Sequence, residues 1–291
     1  MKIPILGTGL SGLVGSRVVE LLSDSFEFTD LSMKTGVDIT NEEQVLASFQ
    51  NSPASIVLHM AAKTDVDSCE DDKIYGEEGA AWIVNVIGTQ NIVDAAKKYK
   101  KRLIYISTDF VFDGTKDFYR EDMEVNPLNW YGITKAEGER LVKEANISYS
   151  IIRLSYPYRS YFDQKLDFVR RIIDRAKTKQ KLLALTDHIF TPTFIDDIAL
   201  ALQILFERER VETFHVVGSE SLTPLEAIKR ITAKFDLKTD IVPITRGEFF
   251  KDRAFRPFKL ALKNDKISGL GIKMKRFDEG LNELAKQLDT I

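Results

Sequence analysis

The chain has 291 residues, of which 44% are hydrophobic and 29% are charged, a balance typical of a folded globular protein. Its formal net charge of −3 disfavours nucleic acid as a partner, and no apolar run is long enough for a membrane span or a signal peptide, so we expect a cytoplasmic location. The single cysteine, Cys69, excludes a disulfide within the chain and a zinc site built from several cysteines. Its acidic neighbours favour an unreactive thiol.

Short apolar runs alternate with amphipathic stretches along the chain. Such runs are typical of strands buried on both faces, and the stretches between them have helical periodicity. The predicted strands are 3–6, 26–28, 55–60, 103–106, 149–154, 182–185 and 214–217. The predicted helices are 13–22, 42–49, about 80–99, about 131–144, 168–181, 194–206 and 223–235. This alternation predicts an α/β fold with a doubly wound parallel (Rossmann) sheet.

The regular alternation loosens after about residue 155, which indicates a change of organisation. We predict a dinucleotide-binding domain over 1–155, with returning elements at about 186–218. Residues 156–185 and 219–291 are then predicted to form a smaller substrate-binding lobe.

Glycines mark the junction between the first predicted strand and the first predicted helix, in the pattern Gly9-x-x-Gly12-x-x-Gly15. Glycine allows a tight turn, a close approach of the backbone to a pyrophosphate, and close packing of helix against strand. The pyrophosphate would bind the free N–H groups at the start of the helix, where Leu13 is the first residue. A turn without a ligand can have the same pattern, but its position between a strand and a helix favours a dinucleotide site.

The second predicted strand is followed by polar residues that bear on the choice of cofactor. Asp30 lies 21 residues after Gly9, where a carboxylate would bind the adenosine ribose of NAD and repel the 2′-phosphate of NADP. Ser32 and Lys34 lie just beyond and could hold that phosphate. The cofactor is therefore NAD or NADP, and Asp30 favours NAD, although a surface aspartate without a ligand is equally compatible with this position.

A strand-end hydroxyl and a tyrosine–lysine pair follow the glycine turn along the chain. Thr108 ends a predicted strand, and Tyr131 precedes Lys135 by four residues, so both of these side chains lie on one face of a helix. Because a neighbouring ammonium favours the phenolate, we expect Lys135 to lower the pKa of the Tyr131 phenol and make it an acid for hydride-transfer chemistry. Thr108 would donate a hydrogen bond to the same carbonyl oxygen. A solvated helix face is the alternative for the pair taken alone.

Several stretches together resemble one known family: TGLSGLVG, VDIT, HMAAKTDVDSCE, NVIGTQN, STDFVFDG, NPLNWYGITKAEGE, TPTFIDDIA and RPFKLALKNDKISGLGI. They extend over nearly the whole chain. The sequence resembles the extended short-chain dehydrogenase/reductases, and specifically the dTDP-4-dehydrorhamnose reductase family. STDFVFDG and the Asp-Ile-Thr turn are the most specific of these stretches, whereas Tyr-x-x-x-Lys belongs to the whole superfamily.

The resemblance implies a reductase of the 4-keto group of a nucleotide-linked 6-deoxysugar, working as a homodimer. The implied catalytic residues are Thr108, Tyr131 and Lys135. Tyr131 and Lys135 are also implied to bind the cofactor, Lys135 at the nicotinamide ribose, and Asn85 is implied to support Lys135. The implied cofactor groove adds Asp38, Ile39, Ala61, Ala62 and Lys63, and the implied substrate contacts are Asp109, Phe110 and Tyr156. His59 is expected to be a packed core histidine, and no metal site is expected.

The substrate side departs from the family pattern. Tyr156 stands where the family usually has tryptophan, His188 replaces glutamine, Leu260 replaces serine, and two glycines are replaced by Arg159 and Phe190. Two alternatives therefore stay open. One is a nucleotide-sugar epimerase or dehydratase of the same superfamily. The other is a non-catalytic subunit resembling the regulatory partner of methionine adenosyltransferase.

Overall fold

The computed structural model describes residues 1–251 and 253–289. The strands in this part of the chain are β1 Ile3–Thr8, β2 Phe26–Leu31, β3 Ile56–His59, β4 Arg102–Thr108, β5 Tyr149–Leu154, β6 Pro157–Tyr158, β7 Leu182–Leu185, β8 Thr193–Phe194, β9 Glu212–His215 and β10 Ile241–Ile244. The helices are α1 Leu13–Leu22, α2 Glu42–Gln50, α3 Val66–Asp72, α4 Ala80–Trp82, α5 Gly88–Lys98, α6 Trp130–Glu144, α7 Phe168–Lys177, α8 Ile195–Glu207, α9 Pro224–Lys234, α10 Arg246–Phe249, α11 Asp265–Gly269 and α12 Phe277–Leu288. A π-helical turn, Ile83–Ile87, joins α4 to α5.

Six parallel strands form the central sheet, in the order β2-β1-β3-β4-β5-β9. The chain leaves β1 towards β2 on one side and returns to β3 on the other, which creates a crevice at the carboxyl ends of these strands. Thr8 of β1 pairs with Leu31 of β2 and with His59 of β3, so these ends lie at one edge. The predicted doubly wound parallel sheet is confirmed.

Helices cover both faces of this sheet. Val18 of α1 and Leu202 of α8 pack with Ile5 of β1 on one face. On the other face, Ile92 of α5 and Val142 of α6 belong to a second buried cluster. The strands are consequently buried on both sides, which explains their continuous apolar runs. None of the helices in 1–251 and 253–289 has the length and apolar character of a membrane span.

Elements after β5 build a third buried cluster that includes Tyr158, Phe190 and Phe277. Two small parallel pairs, β7 with β10 and β6 with β8, lie in this region, while β9 returns to the central sheet. The predicted division of the chain into a domain and a lobe stays a prediction, and residues 252, 290 and 291 of that division lie outside the described part.

Several predicted elements differ from the structure by a few residues at their ends, among them the strands predicted over 3–6, 26–28 and 103–106, which end at Thr8, Leu31 and Thr108. Two other differences lie after β5. The helix predicted over 168–181 ends at Lys177, and Lys179 two residues later has a φ of 55°, a left-handed conformation that no helix continues through. The strand predicted over 214–217 lies two residues earlier, at Glu212–His215. The apolar Val216 and Val217 are buried beyond the strand end.

Candidate functional site

The glycine turn connects β1 to α1 at the edge of the sheet where the crevice opens. Gly9 has a φ of 68°, and a Cβ atom there would lie 2.6 Å from the backbone nitrogen of Ala61. Gly12 is the N-cap of α1 and has no side chain to cap it, so the N–H groups of the first turn, beginning with Leu13, are available to an anion. Gly15 lies on the inner face of α1, where an added Cβ would collide with Leu10. These features fit the pyrophosphate of a dinucleotide.

Asp30 belongs to the end of β2, beside the glycine turn, where it pairs with Gly7 of β1. Its Oδ1 atom is buried and has no hydrogen-bond partner among the described residues. A buried carboxylate oxygen without a donor is costly, so a ribose hydroxyl would satisfy it. Asp30 therefore also fits a dinucleotide.

The predicted adenine side of the groove is a structured turn. Asp38 Oδ1 accepts hydrogen bonds from the backbone nitrogen and the hydroxyl of Thr40, at 2.9 and 2.8 Å. Asn91 of α5 donates to the carbonyl oxygen of Ile39 at 2.9 Å and fixes that residue against the helix. These hydrogen bonds hold the Asp-Ile-Thr stretch in a defined conformation.

The loop after β3, residues 61–63, is held from two sides. The nitrogen of Ala61 donates to the hydroxyl of Thr8 at 3.1 Å. Asn85, in the π-helical turn, accepts from the nitrogen of Lys63 at 2.7 Å and donates to its carbonyl oxygen at 3.0 Å. Asn85 also donates to the hydroxyl of Thr134, the residue before Lys135, at 2.9 Å. Asn85 therefore joins the predicted cofactor groove, which includes Ala62, to the helix that carries Tyr131 and Lys135.

The three predicted catalytic residues come from adjoining elements. Thr108 is the last residue of β4, and Tyr131 and Lys135 lie on the first turns of α6. This helix packs closely on the turn after β4, because any side chain at Gly132 would collide with the carbonyl oxygen of Phe110. The ring of Tyr131 meets that of Phe110 edge-on, with the ring centres 5.9 Å apart. The phenol is consequently brought towards the strand-end hydroxyl.

Burial dominates the acid–base properties of this group. It raises the pKa of the Tyr131 phenol well above its usual value, and interaction with the Thr108 hydroxyl opposes the rise only in part. Burial lowers the pKa of Lys135 to about 7, opposed by Glu139. Lys135 is 3% exposed and its Nζ lies 4.1 Å from the ring centre of Tyr105. The pKa of Tyr131 is therefore raised where a lowering was expected, and Lys135 is not among the groups that shift it.

The predicted substrate residues lie around this group, but differ in accessibility. Asp109 and Phe110 are buried, and both oxygens of Asp109 bind hydroxyls of the protein. Tyr156 is half-buried, has a φ of 42°, and its hydroxyl lies 3.2 Å from Nε2 of His188. His188 Nδ1 binds the carbonyl oxygen of Pro257 at 2.9 Å, so Nε2 is the acceptor. Their contacts with a substrate stay a prediction.

The residues that replace family glycines are accommodated without a left-handed backbone. Arg159 donates to the hydroxyl of Ser16 and the carboxylate of Glu20 on α1, both at 2.9 Å. Phe190 packs on the ring of Tyr156, with ring centres 4.5 Å apart. Both bulky side chains therefore have structural roles beside the cleft.

His59 is a core histidine, as expected. Its Nδ1 and Nε2 atoms bind the hydroxyls of Thr8 and Thr89, at 2.7 and 3.0 Å. Thr89 donates in turn to the carbonyl oxygen of Asn85 at 2.6 Å. Burial lowers the pKa of His59 to about 3, so the ring is neutral and its hydrogen bonds are directed along this chain. Burial likewise raises the pKa of Cys69 to about 12, in keeping with an unreactive thiol.

Acid should destabilise the protein through its buried histidines. Burial lowers the pKa values of His59, His188 and His215 to about 3, about 4 and about 3, whereas each is near 6.5 in the unfolded chain. Below pH 6.5 these histidines are protonated in the unfolded state and neutral in the folded state. Each of them therefore lowers the free energy of unfolding by about 1.4 kcal/mol for each pH unit below 6.5. We expect urea midpoints to fall between pH 7 and pH 5.

The matched variant is His59→Asn, whose unfolded chain has one histidine fewer to protonate. Its free energy of unfolding should lose about 1.4 kcal/mol less per pH unit than the wild type below pH 6.5. This slope is insensitive to the absolute stability lost with the ring. Equal slopes for the two proteins would contradict the burial of a neutral His59.

The fold and this site together define a class of protein. A doubly wound parallel sheet, a glycine turn after β1, and a Tyr-x-x-x-Lys helix beside a strand-end threonine make the chain an α/β protein of the short-chain dehydrogenase/reductase class. Within that class, the chain belongs to the RmlD substrate binding domain family, whose sequence pattern matches residues 1–290. The resemblance stated from the sequence is confirmed.

Three comparisons support this membership. The dTDP-4-dehydrorhamnose reductase of Aggregatibacter actinomycetemcomitans is 33% identical over 206 residues, which cover 70% of this chain and 67% of the relative. Methionine adenosyltransferase 2 subunit beta of Bos taurus is 29% identical over 283 residues, 92% of this chain and 82% of the relative. The structure of dTDP-4-dehydrorhamnose reductase from Bacillus anthracis in complex with NADP superposes with a TM-score of 0.90 at 30% identity, covering 99% of this chain and 100% of that one.

Sequence reasoning missed three residues that support the site. Tyr105 lies beneath Lys135, Ser155 binds Asp109, and Glu139 lies one helical turn from Lys135. The spacing of Glu139, four residues after Lys135, is a signal that could have identified it. Ser155 and Tyr105 carry no such signal, because Ser155 depends on the pairing of β5 with β4 and Tyr105 on the packing of α6 against β4.

Proposed function

We propose that the chain reduces the 4-keto group of a nucleotide-linked 6-deoxysugar with NADH or NADPH. The observation that carries this proposal is the approach of Tyr131 to the strand-end Thr108 at the crevice of the glycine turn. The relatives named dTDP-4-dehydrorhamnose reductase support the substrate class. Asp30 favours NAD, while the Bacillus anthracis relative is in complex with NADP, so the proposal includes both cofactors.

The residues of the chain divide the work as follows. A nicotinamide dinucleotide, when bound, would supply the hydride for the keto carbon. Gly9, Gly12 and Leu13 would hold its pyrophosphate, and Asp30 would hold the adenosine ribose. Tyr131, neutral because burial raises its pKa, gives its phenolic proton to the oxygen of the former keto group. Lys135 has a pKa of about 7, so only part of the population carries its charge near neutral pH. The charged form stabilises the phenolate that remains after the proton transfer.

Absorbance at the nicotinamide band tests the proposal directly. Purified protein is mixed with NADH or NADPH and each of a panel of 4-keto-6-deoxy nucleotide sugars, with UDP-glucose, which has no keto group, as the control. Oxidation of the reduced cofactor with a keto sugar and none with UDP-glucose is expected. Absence of oxidation with every keto sugar contradicts the proposal.

A regulatory subunit is the second candidate, because the Bos taurus relative of comparable identity is named a subunit of methionine adenosyltransferase. It predicts no oxidation with any sugar and a partner that copurifies in a fixed ratio. The epimerase alternative predicts bound NAD in the purified protein and turnover without added reductant.

We further propose a homodimer, to be tested by light scattering after gel filtration. The cytoplasmic location stays a prediction.

A further inference from the structure

Asp109 is a buried carboxylate whose two oxygens are both engaged. It is the first residue of a short 3-10 turn, Asp109–Val111, that follows the catalytic strand, and it is 2% exposed. Thr108 Oγ1 donates to Asp109 Oδ1 at 3.0 Å, and Ser155 Oγ donates to Asp109 Oδ2 at 2.7 Å. The carboxylate thus binds the same hydroxyl that, under the proposed function, contacts the keto oxygen of the substrate.

The hydrogen-bond donors determine where a proton on Asp109 would lie. Ser155 Oγ accepts the N–H of Thr191 at 3.3 Å, and its single hydrogen has no acceptor other than Asp109 Oδ2 among the described residues. Oδ2 is therefore always an acceptor, and a proton on the carboxyl group must be on Oδ1, opposite Thr108. In that state Asp109 donates to Thr108, and the hydroxyl hydrogen of Thr108 is free to point elsewhere.

We propose that Asp109, held by Ser155, is a positioning residue that sets the direction of the Thr108 hydroxyl. When Asp109 is ionised, its Oδ1 atom accepts the hydroxyl hydrogen of Thr108. Protonated Asp109 releases that hydrogen to the keto oxygen of the substrate, where it stabilises the developing negative charge. The inference rests on the proposed function, and it gives Asp109 a role other than the substrate contact that its motif implies.

The neighbourhood of Asp109 makes this switch accessible near neutral pH. Burial raises the pKa of Asp109 to about 6, and the hydrogen bonds from Ser155 and Thr108 oppose the rise only in part. The other titratable groups that face it are the phenols of Tyr131 on α6 and Tyr156 after β5, whose pKa values are raised by burial, and Arg256 acts on Tyr156. Both phenols keep their protons between pH 5 and 8, so Asp109 and Lys135, whose pKa values are about 6 and about 7, are the groups that change.

Asp109→Asn tests the proposal by fixing the released state, in which the hydroxyl hydrogen of Thr108 is not bound by residue 109. The amide nitrogen donates permanently to Thr108, and the amide oxygen still accepts from Ser155. The ratio of kcat for the variant to kcat for the wild type should rise about fiftyfold between pH 6 and pH 8, because the protonated fraction of a carboxyl group with a pKa of about 6 falls from about one half to about one hundredth. The contribution of Lys135 cancels in this ratio. A ratio that stays constant across pH would show a merely structural role and overturn the proposal.

Two further variants control for folding and charge. Asp113→Asn removes the same charge four residues on, from a carboxylate that accepts from Thr115 and Asn126 and does not touch Thr108, so its ratio to the wild type should not change with pH. Ser155→Ala removes a hydrogen bond that stabilises the ionised carboxylate, so the pKa of Asp109 should rise and the fall of kcat with pH should begin at higher pH than in the wild type. A pH profile identical to that of the wild type would also overturn the proposal.

A measurement without substrate separates this inference from the proposed function. The carboxyl carbon signal of Asp109 in ¹³C NMR, assigned with Asp109→Asn, reports its ionisation directly. Thr108→Val removes a donor to the carboxylate and should raise the titration midpoint, and Thr108→Ser should restore it. Coinciding midpoints overturn the inference. A shifted midpoint in a protein that oxidises neither cofactor would refute the proposed function while upholding the coupling of Asp109 to Thr108.

Discussion

Replacing Tyr131 with phenylalanine should lower kcat by about 10²–10⁴-fold, the usual contribution of a positioned general acid. The phenol is the one group on α6 that combines a proton with an approach to Thr108, and burial keeps that proton in place up to high pH. The ring of phenylalanine retains the edge-on contact with Phe110, so the fold should not change. The rate is measured as oxidation of the reduced cofactor with the keto sugar that the wild type prefers.

Cofactor binding separates lost chemistry from lost structure in this experiment. Titration of NADPH fluorescence should give the same Kd for Tyr131→Phe and the wild type within about threefold, since the phenol is not needed to hold the pyrophosphate. Tyr75→Phe is the matched control, because its hydroxyl is on an exposed side chain, and its rate should equal that of the wild type. A Tyr131→Phe protein that keeps more than about a tenth of the wild-type rate would refute the assignment.

Replacing Arg153 with methionine should cost about 3–5 kcal/mol of folding free energy, because it leaves the buried Glu139 carboxylate without its buried partner and with only the half-exposed Lys143 beside it. Arg153 and Glu139 are each 1% exposed and form two parallel hydrogen bonds, at 2.8 and 2.7 Å. Although burial alone would raise it, the ion pair with Arg153 lowers the pKa of Glu139 to about 2. Urea denaturation followed by circular dichroism at pH 7 measures the loss.

Two companion variants give this measurement its meaning. Arg140→Met, on the same helix, removes exposed ion pairs with Glu137 and Glu144, and should cost about 0–1 kcal/mol. The double variant Arg153→Met with Glu139→Leu removes the stranded charge and should regain much of the loss. If Arg153→Met were no less stable than Arg140→Met, the buried pair would not be intact in solution.

Local signals in the sequence were sufficient for the framework of the cofactor side. The glycine turn, the helix that it opens and the strand-end threonine each depend on residues within a few positions of one another, and each lies where it was predicted. Tyr131 and Lys135 were related by helical spacing alone. The roles of all these residues in catalysis and binding remain predictions, because spacing fixes position and not chemistry.

The rest of the site depends on contacts between distant parts of the chain. Ser155 reaches Asp109 only because β5 pairs with β4, and no pattern in the sequence states that order. The rise in the pKa of Tyr131 could not be foreseen either, since desolvation depends on what the fold packs over the phenol. The prediction that Lys135 lowers the pKa of Tyr131 considered one neighbour and omitted the surrounding protein.

The π-helical turn at Ile83–Ile87 has a consequence for how this helix could vary. A turn with i→i+5 hydrogen bonds contains one residue more than an α-helical turn, equivalent to a single-residue insertion. Removing that one residue would convert the turn into continuous α-helix, so the helical residues on its two sides would keep their relation to each other while residues within the turn shift by about 100° around the axis. Asn85 would then swing away from Lys63 and Thr134, although α5 would keep its packing on the sheet. The extra residue therefore serves the placement of the Asn85 amide and not the placement of the helices that it joins.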